Sequence, residues 1–187
     1  MKKIGLFGGT FDPPHIGHLK LAKSVLQTLE LDEIWFIPTY EPPHKSDAIA
    51  KPEQRLDMLN LMLEEEPNFK ISTIEYEIKG KSYTYETVKH LRKQYPQTFF
   101  YFIIGGDMIE DLPKWYNIEE LKRMVQFVGV NRKGYSEYNY RDVLMVNMEE
   151  VPVSSTAIRE DLKNRKEPQG LTKDVLHYIR ENGLYEN

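Results

Sequence analysis

Two histidines near the N-terminus, His15 and His18, have the residue type and the spacing to bind an anion. They lie at the end of the stretch FGGTFDPPHIGH, which follows an apolar run and precedes a helical pattern. Residues three apart on a helix share one face, and the unpaired N–H groups of a helix start attract anions. Histidine donates hydrogen bonds to phosphate oxygens and is positively charged when a phosphate stabilises it. Gly8 and Gly9 let the backbone approach a ligand closely. The stretch therefore predicts a phosphate site.

Spacing alone leaves two other interpretations of the histidine pair open. Helical zinc pairs usually lie four residues apart with a glutamate between them, and the sequence shows no third ligand, so we predict no protein-bound metal. The second alternative is structural, with the histidines capping the helix or hydrogen-bonded in the core. The stretch is neither a Walker A loop nor a G-x-G-x-x-G fingerprint, which excludes those two mechanisms.

Polar residues also follow two later apolar runs. The next charged stretch after EIWFI is EPPHK. Its Lys45 offers a point charge for a phosphate, and His44 can assist. An exposed loop lysine without function is an equal alternative. After FFYFII the chain reads GGDM, which places Gly105 and Asp107 at a strand end. A carboxylate there can accept hydrogen bonds from ribose hydroxyls.

An aromatic pair, Trp115 and Tyr116, stands in the proline-containing stretch LPKWYN. An aromatic ring in a ligand loop can stack on a flat ring. The alternative for Trp115 is a place in the core, since tryptophan is highly buried on average.

Short apolar runs alternate with amphipathic helical patterns and predict an α/β fold. We expect a doubly wound, mainly parallel, Rossmann-like sheet with helices on both faces, in a single domain over residues 1–187. Ligands bind beyond the carboxyl ends of such strands, so the residues named above should meet at one edge. The predicted strands are 2–7, 33–37, 69–78 with a bulge near Ile74, 99–104, 125–130 and 143–146. The predicted helices are 16–30, one that begins at Pro52, 84–95, 118–124, and two that pack on the core, about 155–165 and 172–182.

The composition excludes several classes of function. The chain has 187 residues, of which 40% are hydrophobic and 29% charged, ordinary values for a soluble globular protein. A formal net charge of -4 argues against nucleic acid as a partner, so any polyanion must be bound by a local basic cluster. The absence of cysteine excludes disulfides, thiol catalysis and thiolate metal sites. No window approaches the roughly 18 apolar residues of a membrane span. We therefore expect a cytoplasmic protein without a membrane partner.

Residues 8–18, GGTFDPPHIGH, resemble the signature of the HxGH nucleotidyltransferases, which transfer an adenylyl or cytidylyl group from a nucleoside triphosphate. A second element of that superfamily, a Ser/Thr-rich turn that ends in an arginine at the start of a late helix, is matched by VSSTAIR at 153–159. Composition alone makes Arg159 equally a surface helix residue. The resemblance implies that His15, His18 and Arg159 are catalytic. The residues it implies for ATP binding are Gly8, Gly9, Thr10, Phe11, Gly105, Asp107, Ser154, Ser155, Thr156 and Ile158.

The chemistry implied by this resemblance is attack of a phosphate oxygen on the α-phosphorus of ATP, in line, with pyrophosphate as the leaving group. Such catalysis consists of positioning and charge stabilisation, without a covalent enzyme intermediate. Mg²⁺ is expected as a cofactor that comes with ATP, held mostly by phosphate oxygens and water.

Four further stretches, PPHK, SYTYET, IGGDM and LPKWYN, resemble one branch, the bacterial nicotinate mononucleotide adenylyltransferases. This resemblance implies ATP and nicotinate mononucleotide as substrates and nicotinate adenine dinucleotide, the precursor of NAD, as product. It implies Trp115 against the pyridine ring, N–H groups of Thr84 and Tyr116 on the nicotinate carboxylate, and Asp107 near ribose. The residues predicted for substrate binding are His44, Lys45, Thr84, Tyr85, Trp115, Tyr116 and Arg132.

A carboxylate site built from N–H donors favours the acid over the amide, whose NH₂ group would meet no acceptor. The nearest alternative is pantetheine-phosphate adenylyltransferase, which commonly has Thr where His15 stands and lacks a PKW loop. An alternative from another class is a nucleotide-binding regulator without turnover. The sequence leaves the oligomeric state open, a homodimer included.

Overall fold

A parallel sheet lies at the centre of the computed structural model, which describes residues 1–42, 48–80, 83–132 and 142–187. Its six strands are β1 (Lys2–Gly9), β2 (Glu33–Pro38), β3 (Phe69–Ile71), β4 (Thr98–Gly105), β5 (Gln126–Arg132) and β6 (Val143–Met148). Their order across the sheet is β3-β2-β1-β4-β5-β6, and every neighbouring pair is parallel. The order reverses between β1 and β4, as in other doubly wound folds. This confirms the predicted Rossmann-like sheet.

Helices cover both faces of the sheet. In the described part of the chain they are α1 (Ile16–Thr28), α2 (Pro52–Leu63), α3 (Ile74–Ile78), α4 (Thr84–Gln94), α5 (Ile118–Met124), α6 (Ser155–Lys163) and α7 (Lys173–Glu181). Buried residues of α1, α2 and α7 form one core cluster with Phe7 and Phe36 of the sheet. Buried residues of α3, α4 and α5 form the other cluster with Ile4 and Leu6. Neighbouring strand residues point to opposite faces, which divides β1 between the two cores.

The prediction of one strand over residues 69–78 is wrong after Ile71. The edge strand β3 pairs with β2 over Phe69–Ile71 only, and the chain then forms the short helix α3. The reason is visible in the spacing of the apolar residues. Phe69 and Ile71 are two apart, whereas Ile74 and Ile78 are four apart and pack together in the core beside α4. The slip in alternation near Ile74 is the change from a strand period to a helical one, rather than a bulge.

The other predicted elements agree with the structure within two residues at each end, the usual uncertainty of element boundaries. The last helix, α7, begins after Thr172, whose hydroxyl accepts a hydrogen bond from the N–H of Val175. Among the residues that the structure describes, no helix has the length and apolar character needed to cross a membrane.

Candidate active site

His15 and His18 together cap the N-terminus of α1, beyond the carboxyl end of β1. His15 is the N-cap residue, and its Nδ1 accepts a hydrogen bond from the N–H of Gly17 at 3.0 Å. The N–H of His15 in turn donates to Nδ1 of His18 at 3.0 Å. The two rings are stacked with their centroids 3.8 Å apart. Because both Nδ1 atoms accept hydrogen bonds, each neutral ring carries its proton on Nε2 and is a donor there.

Gly17, between the two histidines, leaves the space that the ring of His15 occupies. A Cβ atom at position 17 would lie 2.7 Å from Cε1 and 2.8 Å from Nδ1 of His15, closer than atoms can approach.

Phe11 packs against the histidine pair, with its ring edge-on to His18 at a centroid distance of 4.9 Å. Phe11 is only 3% exposed. Its side chain therefore supports His18 from within the core.

Hydrogen bonds join the two motifs that the sequence places far apart. Nη1–H of Arg159 donates to the main-chain oxygen of Asp12 at 2.8 Å, and the hydroxyl of Ser155 donates to the main-chain oxygen of Pro13 at 2.8 Å. Both contacts lie just before the histidine cap. The late motif thus meets the early one at the start of α1, as the sequence predicts.

The late motif forms the first turn of α6. Ser154 is its N-cap, and its hydroxyl accepts a hydrogen bond from the N–H of Ala157 at 3.1 Å. The hydroxyl of Thr156 accepts a longer hydrogen bond, 3.4 Å, from Nη2–H of Arg159. Ile158 is buried. The guanidinium of Arg159 is therefore held from two sides beside the cap of α1.

Two glycine-containing strand ends lie side by side at this edge of the sheet. β1 ends at Gly9, after Gly8, and the adjacent strand β4 ends at Gly105. A 3₁₀ turn, Gly106–Met108, follows β4 and carries Asp107, which is exposed. The Asp107 carboxylate folds back over Gly105. Its Oδ1 lies 2.6 Å from the point that a Cβ atom on residue 105 would occupy. This puts a hydrogen-bond acceptor at the sheet's switch point.

Aromatic contacts bring the start of α4 to the predicted pyridine loop. The helix begins at Thr84, and its flanking residues Tyr83 and Tyr85 both contact the ring of Tyr116, at centroid distances of 4.7 and 5.9 Å. Tyr116 is half exposed. The first N–H groups of a helix have no partner within it, so they can bind an anion.

Trp115 lies beside this aromatic group and is half-buried. It meets Phe102 of β4 and Phe127 of β5 edge-on, with both centroid distances 6.0 Å. One part of the Trp115 side chain therefore packs in the core, and the rest is accessible to solvent.

Three predicted substrate residues receive no side-chain geometry. His44 and Lys45 lie outside the described residues. Arg132 is the last residue of β5, and its side chain also lies outside the described part.

Sequence reasoning missed Arg55, a fully buried arginine on α2. Its guanidinium donates hydrogen bonds to four main-chain oxygens, those of Thr10, Thr39, Tyr40 and Ala50, at distances between 2.7 and 3.3 Å. These oxygens belong to the segments that follow β1 and β2. The sequence does contain a signal, since Arg55 shares the helical spacing of the buried residues Met58, Leu59 and Met62.

Sequence reasoning also missed the pair formed by Asp12 and Tyr185. The buried carboxylate of Asp12 accepts hydrogen bonds from the N–H groups of Ile49 and Ala50 and from the hydroxyl of Tyr185. Burial, followed by the charge and hydrogen bond of Asp12, raises the pKa of Tyr185 far above its ordinary value, although the charge of Arg159 opposes this. Tyr185 is therefore a protonated donor.

Within residues 1–42, 48–80, 83–132 and 142–187, no group of three or more His, Asp or Glu side chains is arranged to hold a metal ion. The described donors of the site are N–H groups of histidine, arginine and the backbone, together with the hydroxyls of Ser155 and Thr156. Such donors bind anions rather than cations.

Known proteins resemble this chain in sequence and in fold. The cytidylyltransferase-like family model matches residues 6–161. The nicotinate-nucleotide adenylyltransferase of Bacillus subtilis is 48% identical, and the probable nicotinate-nucleotide adenylyltransferase of Bacillus cytotoxicus is 51% identical, each over 189 aligned positions covering 100% of both chains. The fold matches the Plasmodium falciparum nicotinic acid mononucleotide adenylyltransferase complexed with NaAD, with a TM-score of 0.85 and 20% identity over 100% of this chain and 98% of that chain. The chain therefore belongs to the cytidylyltransferase-like family, among the nicotinate-nucleotide adenylyltransferases.

Proposed function

We propose that this protein transfers the adenylyl group of ATP to nicotinate mononucleotide, giving nicotinate adenine dinucleotide and pyrophosphate. The observation that carries the proposal is the junction of the two motifs, in which Arg159 and Ser155 bond to the main chain just before His15. Full-length relatives with the corresponding name and near 50% identity support the assignment. The product is a precursor of NAD.

In the proposed reaction, a phosphate oxygen of the mononucleotide attacks the α-phosphorus of ATP. The bond from that phosphorus to the bridging oxygen breaks, and pyrophosphate leaves with the electron pair. His15 and His18 would donate from Nε2–H to phosphate oxygens as charge develops, and Arg159 would neutralise the departing pyrophosphate. The cap supports this role because a second proton would have to displace a backbone N–H from Nδ1. The rings are thus kept as fixed donors.

Recognition of the triphosphate is proposed to continue along the switch point. Gly8, Gly9 and Thr10 would let the backbone approach the nucleotide, and the first turn of α6 would add Ser155 and Thr156. Asp107 would accept hydrogen bonds from ribose hydroxyls. The position of the Asp107 carboxylate over Gly105 supports this role.

The mononucleotide is proposed to bind where α4 meets the loop of Trp115. The accessible part of the indole would stack on the pyridine ring, and N–H groups of Thr84 and Tyr116 would hold the nicotinate carboxylate. Supporting this, Tyr83 and Tyr85 keep Tyr116 against the start of α4. The roles of His44 and Lys45 near phosphate, and of Arg132 on the adenine or phosphate side, stay predictions.

Mg²⁺ is proposed to come with ATP, because the described donors of the site suit phosphate oxygens and not a cation. It would then be held by phosphate oxygens and water, with no protein side chain required as a ligand. When bound, it supplies positive charge that offsets the charge developing on the phosphates.

Residues 1–187 are proposed to act as one nucleotidyltransferase domain. The family match ends at residue 161, and α7, which follows it, places Val175 and Ile179 in the same core cluster as α1 and α2. A homodimer stays a prediction, which analytical ultracentrifugation would test.

The function is tested by supplying MgATP with nicotinate mononucleotide, nicotinamide mononucleotide or phosphopantetheine in turn and following pyrophosphate release. We expect turnover with the nicotinate compound and a lower kcat/KM with the amide. Absence of turnover with both pyridine nucleotides would refute the proposal, and turnover with phosphopantetheine alone would identify the alternative enzyme. Equal kcat/KM for acid and amide would refute the carboxylate site and leave adenylyl transfer intact. Binding of ATP without turnover on any acceptor would indicate a regulator.

A further inference from the structure

Tyr185, near the C-terminus, lies against the middle of the first motif. Its ring is 5% exposed, and its hydroxyl donates a 2.5 Å hydrogen bond to Oδ1 of Asp12. The backbone of Tyr185 has a φ of 65°, a left-handed conformation that bulky residues rarely adopt. Packing around the ring therefore outweighs a local backbone preference. The C-terminal segment holds this hydroxyl at a defined place.

Asp12 connects that hydroxyl to two other parts of the molecule. Its carboxylate also accepts the N–H groups of Ile49 and Ala50, directly before α2, at 2.9 and 3.1 Å. Its main-chain oxygen accepts Nη1–H of Arg159 at 2.8 Å. The carboxylate and the main-chain oxygen belong to one residue, so a shift of Asp12 as a whole moves both oxygens together.

We propose that Tyr185 is a positioning residue for adenylyl transfer, because its hydroxyl fixes Asp12 and thereby the main-chain oxygen that orients the guanidinium of Arg159. This inference rests on the proposed function, in which Arg159 binds the triphosphate.

The physical reason is that a buried carboxylate must be fully hydrogen-bonded. Removal of one of the three donors to Asp12 leaves part of its charge uncompensated, so the side chain turns toward another donor or admits water. Arg159 depends on the same residue, since its other described hydrogen bond, to Thr156, is longer at 3.4 Å. Small displacements of a charge-stabilising group reduce the rate strongly, by up to about 100-fold for a shift of 1 Å.

The test compares Tyr185→Phe with the matched control Tyr178→Phe. Tyr178 also belongs to the C-terminal region and also donates its hydroxyl to a carboxylate, Asp57 of α2, at 2.9 Å. The described hydrogen bond of Asp57 is to Tyr178, and no described hydrogen bond or ion pair joins Asp57 to residues 8–18 or 153–159. We expect Tyr185→Phe to lower kcat by about 5- to 10-fold and to weaken ATP binding in calorimetry, and Tyr178→Phe to leave both unchanged. Thermal unfolding of both variants shows whether the folded fractions are equal.

A double-mutant cycle with Arg159→Lys identifies the route of the effect. If Tyr185 acts through Arg159, Tyr185→Phe reduces kcat by less than about twofold in the Arg159→Lys background. If the fold-changes in kcat of the two single variants multiply in the double variant, the proposal is overturned. Equal kcat for Tyr185→Phe and Tyr178→Phe would also overturn it. If Tyr185→Phe does not fold, Asp12→Asn takes its place in the same cycle, because it keeps the side-chain size and weakens the acceptor.

The outcomes for the two proposals differ. A wild-type enzyme without turnover on any pyridine mononucleotide refutes the proposed function, and ATP calorimetry still tests the coupling of Tyr185 to Arg159. A wild-type enzyme that is active, impaired by Arg159→Lys and unchanged by Tyr185→Phe refutes this inference alone.

Discussion

The histidine pair caps a helix, and this observed role is compatible with the phosphate-binding role that we propose for it. His15 and His18 do cap a helix, and the cap is what fixes their tautomers, because each Nδ1 is used by a backbone N–H. A capping role therefore supports a phosphate site instead of competing with it. Gly17 is required for the same reason, since any side chain there would collide with the ring of His15.

We expect His18→Ala to lower kcat by at least about 100-fold, the usual effect of removing a donor that acts on the transition state. The measurement is pyrophosphate release under saturating substrates. The matched control is His177→Ala, on the exposed surface of α7, for which kcat should not change. A near-normal rate for His18→Ala would return this histidine to a purely structural role.

Trp115→Ala should raise KM for nicotinate mononucleotide by about tenfold, because stacking on an aromatic ring contributes about 1–3 kcal/mol. Trp35→Ala is the control. Trp35 is also half-buried and meets Tyr95 and Phe100 edge-on, away from the start of α4. Both changes should lower the melting temperature, but only the first should change this KM. A change in KM for ATP alone would contradict the stacking role of Trp115.

At the level of elements, the site depends on how the segments after β1 and β2 are fixed. The described residues of these segments, 10–15, 39–42 and 48–51, form neither helix nor strand, and several of their main-chain oxygens point inward. Arg55 of α2 satisfies four of these oxygens with one guanidinium, a planar group with five donors. A buried helix residue thus sets the backbone path of two loops at the carboxyl edge of the sheet.

Arg55→Met should lower the free energy of unfolding by about 3–5 kcal/mol, because it removes a buried charged donor and leaves several oxygens unsatisfied. Urea denaturation measures the loss. Arg123→Met is the control, since Arg123 is exposed on α5 and its described ion pair is with Glu120, three residues away. Arg123→Met should lower the free energy of unfolding by less than about 1 kcal/mol, as for most surface ion pairs. Similar losses for both variants would contradict the role of Arg55.

At the level of the whole molecule, the C-terminal region is fastened to the rest by hydrogen bonds from tyrosines to carboxylates. Tyr178 donates to Asp57 on α2, and Tyr185 donates to Asp12 beside the site. The main-chain oxygen of Gly170 also accepts the N–H of Ile16, the first residue of α1. The end of the chain therefore stabilises its beginning.

This arrangement predicts a loss of stability at alkaline pH. Burial and the hydrogen bond to Asp57 raise the pKa of Tyr178 to about 12, from an ordinary value of 10.0. The folded state binds this proton more tightly than the unfolded state, so its contribution is complete below pH 10 and is lost as the pH rises toward 12. Urea denaturation between pH 9 and pH 12 should show a steeper decline in the free energy of unfolding for the wild type than for Tyr178→Phe. Equal slopes for the wild type and Tyr178→Phe would contradict the raised pKa of Tyr178.

The sequence by itself determined the alternation of strands and helices, the parallel sheet, and the two motifs around His15 and Arg159. These features depend on local periodicity and on residues close together in the chain, which a sequence displays directly. It also identified Asp107 at a strand end and Trp115 in a proline-containing loop. Its error at residues 74–78 arose because a short helix and a bulged strand give similar apolar patterns over five residues.

Only the tertiary structure decided which distant groups share a hydrogen bond. Arg55 and Tyr185 have no neighbouring motif in the sequence, and their importance follows from burial against main-chain oxygens and a carboxylate of other elements. The joint cap of His15 and His18 likewise depends on the angle at which the chain enters α1. Burial and mutual orientation depend on the packing of the whole chain, and spacing along the sequence does not specify them.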